Sequence, residues 1–223
     1  MRGEHAPASI SKMTIMKIKH MIAVSLLLLT GIRTANAVEW QMKQGPMMTP
    51  WSETLDPENV LGEYPRPQME RQEWMNLNGI WDLRKAIQDE AYSPDFIYDK
   101  KILVPFPLES AISGVMEESD NQCYWYRRTL TIPESMKGKN ILLHFDAVDW
   151  EAIVYVNGKK VGKHTGGYDP FYFDITSALK QDGEQELAVY VRDNTGAEGQ
   201  PKGKQALNKS VSYTHLTLPT KLE

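Results

Sequence analysis

Two short stretches set hydroxyl-seeking side chains beside aromatic rings. Glu117-Glu118-Ser119-Asp120-Asn121-Gln122 runs into Tyr124-Trp125-Tyr126, and Asp193-Asn194-Thr195-Gly196 follows Val189-Tyr190-Val191. Carboxylates and amides supply hydrogen-bond acceptors and donors in fixed pairs. Aromatic faces pack well against C–H surfaces. A sugar carries hydroxyls on its rim and C–H groups on its faces, so this combination suits a carbohydrate. Asn121 and Asp193 are the candidate polar contacts, and Trp125 is the candidate ring. Ordinary solvated loops are the competing reading of both stretches.

Other chemistries find no foothold. Ser, His and Asp are present, but no Gly-x-Ser-x-Gly elbow places a nucleophile, and scattered triad residues define no site. There is no phosphate-binding loop, dinucleotide fingerprint or zinc spacing, so no cofactor is implied. His144 sits inside an apolar stretch without a second His or carboxylate at ligand spacing, which reads as a structural histidine. Cys123 is the single cysteine, so no intrachain disulfide can form, and its strand-like surroundings mark it as a small buried hydrophobe. The net charge is −4 and the cations are scattered, which excludes a surface built for nucleic acid. With 41% hydrophobic and 24% charged residues over 223 positions, the chain holds one packed domain plus a targeting segment.

That segment is the N-terminus. Lys17, Lys19 and His20 precede the apolar run Met21–Leu29, and Ala35-Asn36-Ala37 follows. A basic start, a short apolar stretch and an A-x-A end are the layout of a secretory signal. The run is too short to cross a bilayer core of about 30 Å. Residues 1–37 are therefore expected to be cleaved after Ala37, with Met16 the better start. A secreted or periplasmic protein follows, with no membrane attachment after cleavage.

Residues 38–75 read as an extended lead-in in which Pro65 and Pro67 oppose a helix. From residue 76 the pattern is β. Strands are expected around Ile80–Leu83, Lys101–Val104, Tyr124–Ile132, Ile141–Phe145, Ala152–Val156, Phe171–Phe173 and Glu186–Val191, with prolines ending two of them. Asn157-Gly158 is a tight hairpin turn, because both positions tolerate positive φ. In the last strand Leu187, Val189 and Val191 face one way, and Ala188 and Tyr190 the other. Asp174 is expected to cap a single turn. Many short strands with little helix give an all-β sandwich.

The order of the motifs carries a resemblance. Tyr64-Pro65-Arg66-Pro67, Trp74–Asp82, Val104-Pro105-Phe106-Pro107, Trp125-Tyr126-Arg127-Arg128, Val154–Gly162 and His164–Phe171 with Phe173–Thr176 resemble the N-terminal sugar-binding domain of glycoside hydrolase family 2. The resemblance implies an all-β jelly-roll β-sandwich of the galactose-binding type over 76–209. It also implies a parent chain continuing into immunoglobulin-like and barrel domains, where two catalytic glutamates reside. No residue of this chain is then catalytic, and the implied partner is a β-linked glycan. Family loops that reach the barrel's substrate pocket make Asn121, Asp193 and Trp125 candidate outer contacts to substrate. Tyr168, Phe171 and Phe173 would anchor their loop on the sandwich. The alternative is a free-standing secreted carbohydrate-binding module without hydrolase activity. Residues 210–223, including Val211–Thr220, resemble translated library-adapter sequence and are expected to be an artefact tail.

Overall fold

Alternating apolar positions along short segments bounded by Gly, Pro and Asn generate two antiparallel sheets. The structure is a computed structural model that describes residues 38–45, 48–117, 123–194 and 220–222, all within the unit Val38–Glu223. The strands are β1 (Met75–Asn76), β2 (Gly79–Lys85), β3 (Lys100–Val104), β4 (Cys123–Leu130) and β5 (Leu142–Phe145). They continue with β6 (Glu151–Val156), β7 (Lys159–Thr165), β8 (Phe171–Asp174), β9 (Gln185–Arg192) and β10 (Thr220–Leu222). One sheet runs β1-β10-β5-β8 and the other β3-β2-β4-β9-β6-β7. The expected all-β sandwich is what forms.

The core lies between the sheets. Trp81 and Leu83 of β2, Tyr124 and Tyr126 of β4, Leu143 and Phe145 of β5, Val154 of β6, and Leu187, Val189 and Val191 of β9 make one buried cluster. The predicted alternation of β9 therefore holds. Its other face does not meet water, however. Ala188 and Tyr190 join Trp125 and Cys123 in a second cluster, covered by Tyr92, Phe96 and Tyr98. Residues 86–99 thus form a strap across the outside of the six-stranded sheet. Tyr92 stacks on Tyr155 at 5.1 Å and its hydroxyl donates to Glu186 at 2.5 Å. Glu90 accepts from Trp125 Nε1 and Arg84 Nη1, both at 2.8 Å.

The β6–β7 hairpin turns at Asn157 (φ 49) and Gly158 (φ 78), as the Asn-Gly pair requires. The Asn157 side chain ties the turn down. Its Nδ2 donates to Ala178 O and Gln185 Oε1, and its Oδ1 accepts from Glu186 N. Three details differ from the sequence reading. Pro67 starts a 3₁₀ turn, Pro67–Met69, because the first helical position needs no N–H. Asp174 does not sit at the cap of the turn Thr176–Ala178, where Ile175 stands, but its Oδ1 accepts from Thr176 N at 2.9 Å. Tyr168 is 65% exposed, whereas Phe171 and Phe173 do pack against the core.

The lead-in touches the folded body: Trp40 Nε1 donates to Ser113 O at 2.8 Å, and Lys43 N to Ala111 O at 3.0 Å. Of the tail 210–223, Thr220–Leu222 are described and pair with β1 on one side and β5 on the other. Such a ladder uses backbone groups that nearly every residue possesses. Residues 1–37 lie outside the described residues.

Candidate functional site

Three strand ends meet at one end of the six-stranded sheet. Arg192, the last residue of β9, pairs with Cys123 at the start of β4 and with Glu151 at the start of β6. Beyond the ladder the backbone stays tied: Trp150 N donates to Arg192 O at 3.2 Å, and Gly166 N donates to Trp150 O at 2.8 Å. The segments at 149–150, 166–167 and 193–194 are thereby brought to one place. Gly167 makes the closest approach. A Cβ added there would lie 2.5 Å from Asp149 Oδ1, so only glycine lets this backbone pass the carboxylate.

The place is charged and largely dry. Asp149, Glu151, Arg192 and Asp193 are all buried. Glu151 Oε2 accepts from Lys163 Nζ at 2.5 Å and lies 3.7 Å from Arg192 Nη2. Charges out of water persist only when paired and hydrogen-bonded, and here Glu151 of β6 reaches both Lys163 of β7 and Arg192 of β9. Cys123 lies at the edge of this group. Burial pushes its thiol pKa up, and Tyr190 Oη sits 3.2 Å from its Sγ. A thiol held protonated in this way is a packing group and no nucleophile.

The candidate residues fare differently. Asp193 is 0% exposed and directly follows β9, so it belongs to this cluster. Its burial makes it a group that shapes the loop rather than one that faces solvent. Asn121 lies outside the described residues, although β4, which begins two residues later, starts beside Arg192. Trp125 is 0% exposed. Its ring packs on Tyr190 at 5.3 Å and on Phe96 at 5.4 Å, and its Nε1 is spent on Glu90. The strap thus encloses the ring that the sequence reading had offered to a sugar. His144 packs at 5.2 Å, its ring tilted, against Tyr172 of the adjacent strand.

Sequence reasoning passed over Asp149, Glu151, Lys163 and Arg192. A signal was present, because Asp149-Trp150-Glu151 puts two acids at the mouth of an otherwise apolar strand, and Arg192 closes another. Among the described residues no group of three or more His, Cys, Asp or Glu side chains could hold a metal ion. No helix among them is long and apolar enough to cross a membrane.

The arrangement can fix acceptors for hydroxyl groups, and comparison with known proteins points to carbohydrate. Residues 66–200, more than half of the chain, match the model of the glycosyl hydrolases family 2 sugar binding domain. A β-galactosidase of Thermoanaerobacter pseudethanolicus is 35% identical over 133 residues, 58% of this chain and 18% of that protein. A β-glucuronidase of Formosa agariphila is 37% identical over 86 residues, 37% of this chain and 9% of that protein. Among solved structures, the β-glucuronidase of Bacteroides uniformis aligns at 28% identity with a TM-score of 0.52, covering 67% of this chain and 17% of that one. The chain thus spans less than a fifth of the length of each of these three relatives.

Proposed function

The chain belongs to the glycosyl hydrolases of family 2, whose sugar-binding domain it carries, and from that premise we propose that it is the non-catalytic N-terminal module of an exported, retaining β-glycosidase. Hydrolysis of the O-glycosyl bond then belongs to a barrel domain of the parent chain. Retention needs two carboxyl groups about 5–5.5 Å apart across the scissile bond, one as nucleophile and one as acid/base. The acids gathered at 149, 151 and 193 serve another purpose. They hold the end of the sandwich rigid, so that the loops leaving it can meet a glycan bound in the barrel.

One observation carries this reading: the family match over 66–200, combined with relatives several times longer whose names include both β-galactosidase and β-glucuronidase. Export rests on the layout of residues 1–37, and the foreign origin of 210–223 rests on the resemblance of that stretch to adapter sequence. Asn121 and Asp193 act as outer contacts or supports of the substrate site.

The test begins at the gene. Long reads across the codons for residues 195–223 should run on, past residue 209, into a second sandwich and a barrel. The full-length protein should then cleave p-nitrophenyl β-galactoside or β-glucuronide, and the 223-residue chain should cleave neither. A true stop after Glu223 would overturn the parent-enzyme reading and leave a free-standing binding module. In the full-length enzyme, Asp193→Asn should raise KM several-fold. Unchanged KM and kcat would remove Asp193 from the substrate site.

A further inference from the structure

A glycine after Asn or Asp opens the chain to a reaction with itself, because its N–H can reach the preceding side chain with no Cβ in the way. The sequence holds three such pairs, Asn78-Gly79, Asn157-Gly158 and Asp182-Gly183. Side-chain amides cyclise faster than carboxyl groups, so chemistry alone ranks the two asparagines first. The fold reverses that order. Asn78 is buried, its carbonyl accepts from Arg128 Nη1 at 2.8 Å, and Gly79 stands opposite Val104 in the β2–β3 ladder. The carboxamide of Asn157 is spent on Ala178 O, Gln185 Oε1 and Glu186 N, at 2.9, 2.8 and 2.9 Å. To reach Gly158 N it must break all three bonds. Asp182 carries no such restraint. Its side chain is 84% exposed and meets Lys137 Nζ at 3.2 Å, and exposed pairs of this kind hold weakly. Gly183 has φ 81, and a Cβ built there would meet nothing within 4 Å.

Gln185 connects the open pair to a masked one. Its buried side chain donates from Nε2 to Gly183 O at 3.0 Å. Its Oε1 accepts from Lys180 N and from Asn157 Nδ2, both at 2.8 Å. We propose that Asp182 is a site of spontaneous isoaspartate formation, and that this change unmasks Asn157 to deamidation. Gly183 N attacks Asp182 Cγ, the N–Cγ bond forms, and the carboxyl oxygen leaves as water with the amide proton. A second water opens the succinimide at the main-chain carbonyl of Asp182, so the chain runs on through the side-chain carbon with no net change in atoms. The extra backbone methylene moves Gly183 O away from Gln185. Asn157, released, closes onto Gly158 N with loss of ammonia, and water opens that ring to the acid. Neither step depends on what the protein binds, so failure here leaves the family reading untouched.

Peptide mapping of the full chain, held at neutral pH for several weeks, decides the matter. Trypsin releases Asp182 in the peptide 181–192 and Asn157 in the peptide 140–159. Isoaspartate is scored by an isoaspartyl methyltransferase with labelled S-adenosylmethionine, and deamidation by mass. Isoaspartate at 182 should rise first, within about threefold of its rate in the urea-unfolded chain, whereas Asn157 should react at least about tenfold more slowly than in urea, because ordered groups react through local opening. Asp182→Glu keeps a carboxylate beside Lys137 but would have to close a larger ring. It should abolish isoaspartate in that peptide and slow Asn157 at least about threefold, in protein whose urea midpoint matches the wild type. Asn157 changing before Asp182 in the folded chain would overturn the exposure argument. Equal deamidation of Asn157 in Asp182→Glu and wild type would overturn the coupling.

Discussion

Glu151 and Lys163 form one ion pair but stand in different surroundings. The Glu151 side chain is 5% exposed and that of Lys163 is 47% exposed. Removing the acid takes a carboxylate away from 3.7 Å beside the buried Arg192, whereas removing Lys163 takes away a group that water can reach. Glu151→Ala should therefore cost about 2 kcal/mol, and Lys163→Ala less than about 1 kcal/mol, both read from urea midpoints. Gly167 is constrained by space rather than charge. Gly167→Ala places a methyl against the Asp149 carboxylate, and relief by backbone movement should cost about 1–3 kcal/mol. If Gly167→Ala denatures at the wild-type urea concentration, the close approach is not a constraint. These residues were hard to see in the sequence. Charges in register across β9 and β6 are neighbours only once the strands have paired, and Asp149 meets Gly167 from 18 positions away.

The strap over residues 86–99 was the least legible element. Period-two alternation in β4 and β9 identifies two faces but does not say what covers them. Trp125 consequently read as a ring open to a sugar, when local chain from between β2 and β3 covers that face. The strands themselves were legible, because Pro, Gly and Asn punctuate them. The Asn157-Gly158 turn was legible to the residue, because its positive φ angles leave few other choices. The strap makes a pH prediction. Burial pushes the Tyr98 phenol up to about 12, with Arg127 pulling the other way, and burial also raises Tyr92 and Tyr190. In the unfolded chain these phenols ionise near 10, so the unfolded state sheds protons first. Their contribution to stability is whole below about pH 10 and declines as pH rises towards 12. Urea midpoints between pH 9 and pH 11.5 should fall accordingly, and Tyr98→Phe should flatten that fall. A midpoint that holds steady over this range in the wild type would contradict the buried environment of the strap phenols.

On the scale of the whole molecule, the six-stranded sheet is a middle layer, with the sandwich core on one side and the strap cluster on the other. Trp81 belongs to the first and Trp125 to the second, so replacing each in turn, with the other four tryptophans unchanged, isolates its share of the emission. Tyr92→Phe removes the hydroxyl tie to Glu186 and should cost about 1 kcal/mol. It should also red-shift emission in a Trp81→Phe background more than in a Trp125→Phe background. Equal shifts in the two backgrounds would mean that the strap and core open as one body. The same sheet carries a rung whose consequence lies in assembly. Asp82 sits on a strand flanked by two others, and its register partners are Lys101 on one side and Arg127 on the other. A slip of two residues keeps every side chain on its proper face, so the pleat alone offers little resistance to it. It would set Asp82 opposite Asp99, just before β3, or Leu103 on it, and opposite Trp125 or Thr129 on β4. No two-residue shift of either neighbour leaves a cation facing the acid, so one carboxylate proofreads the alignment of three strands while the chain is still collapsing.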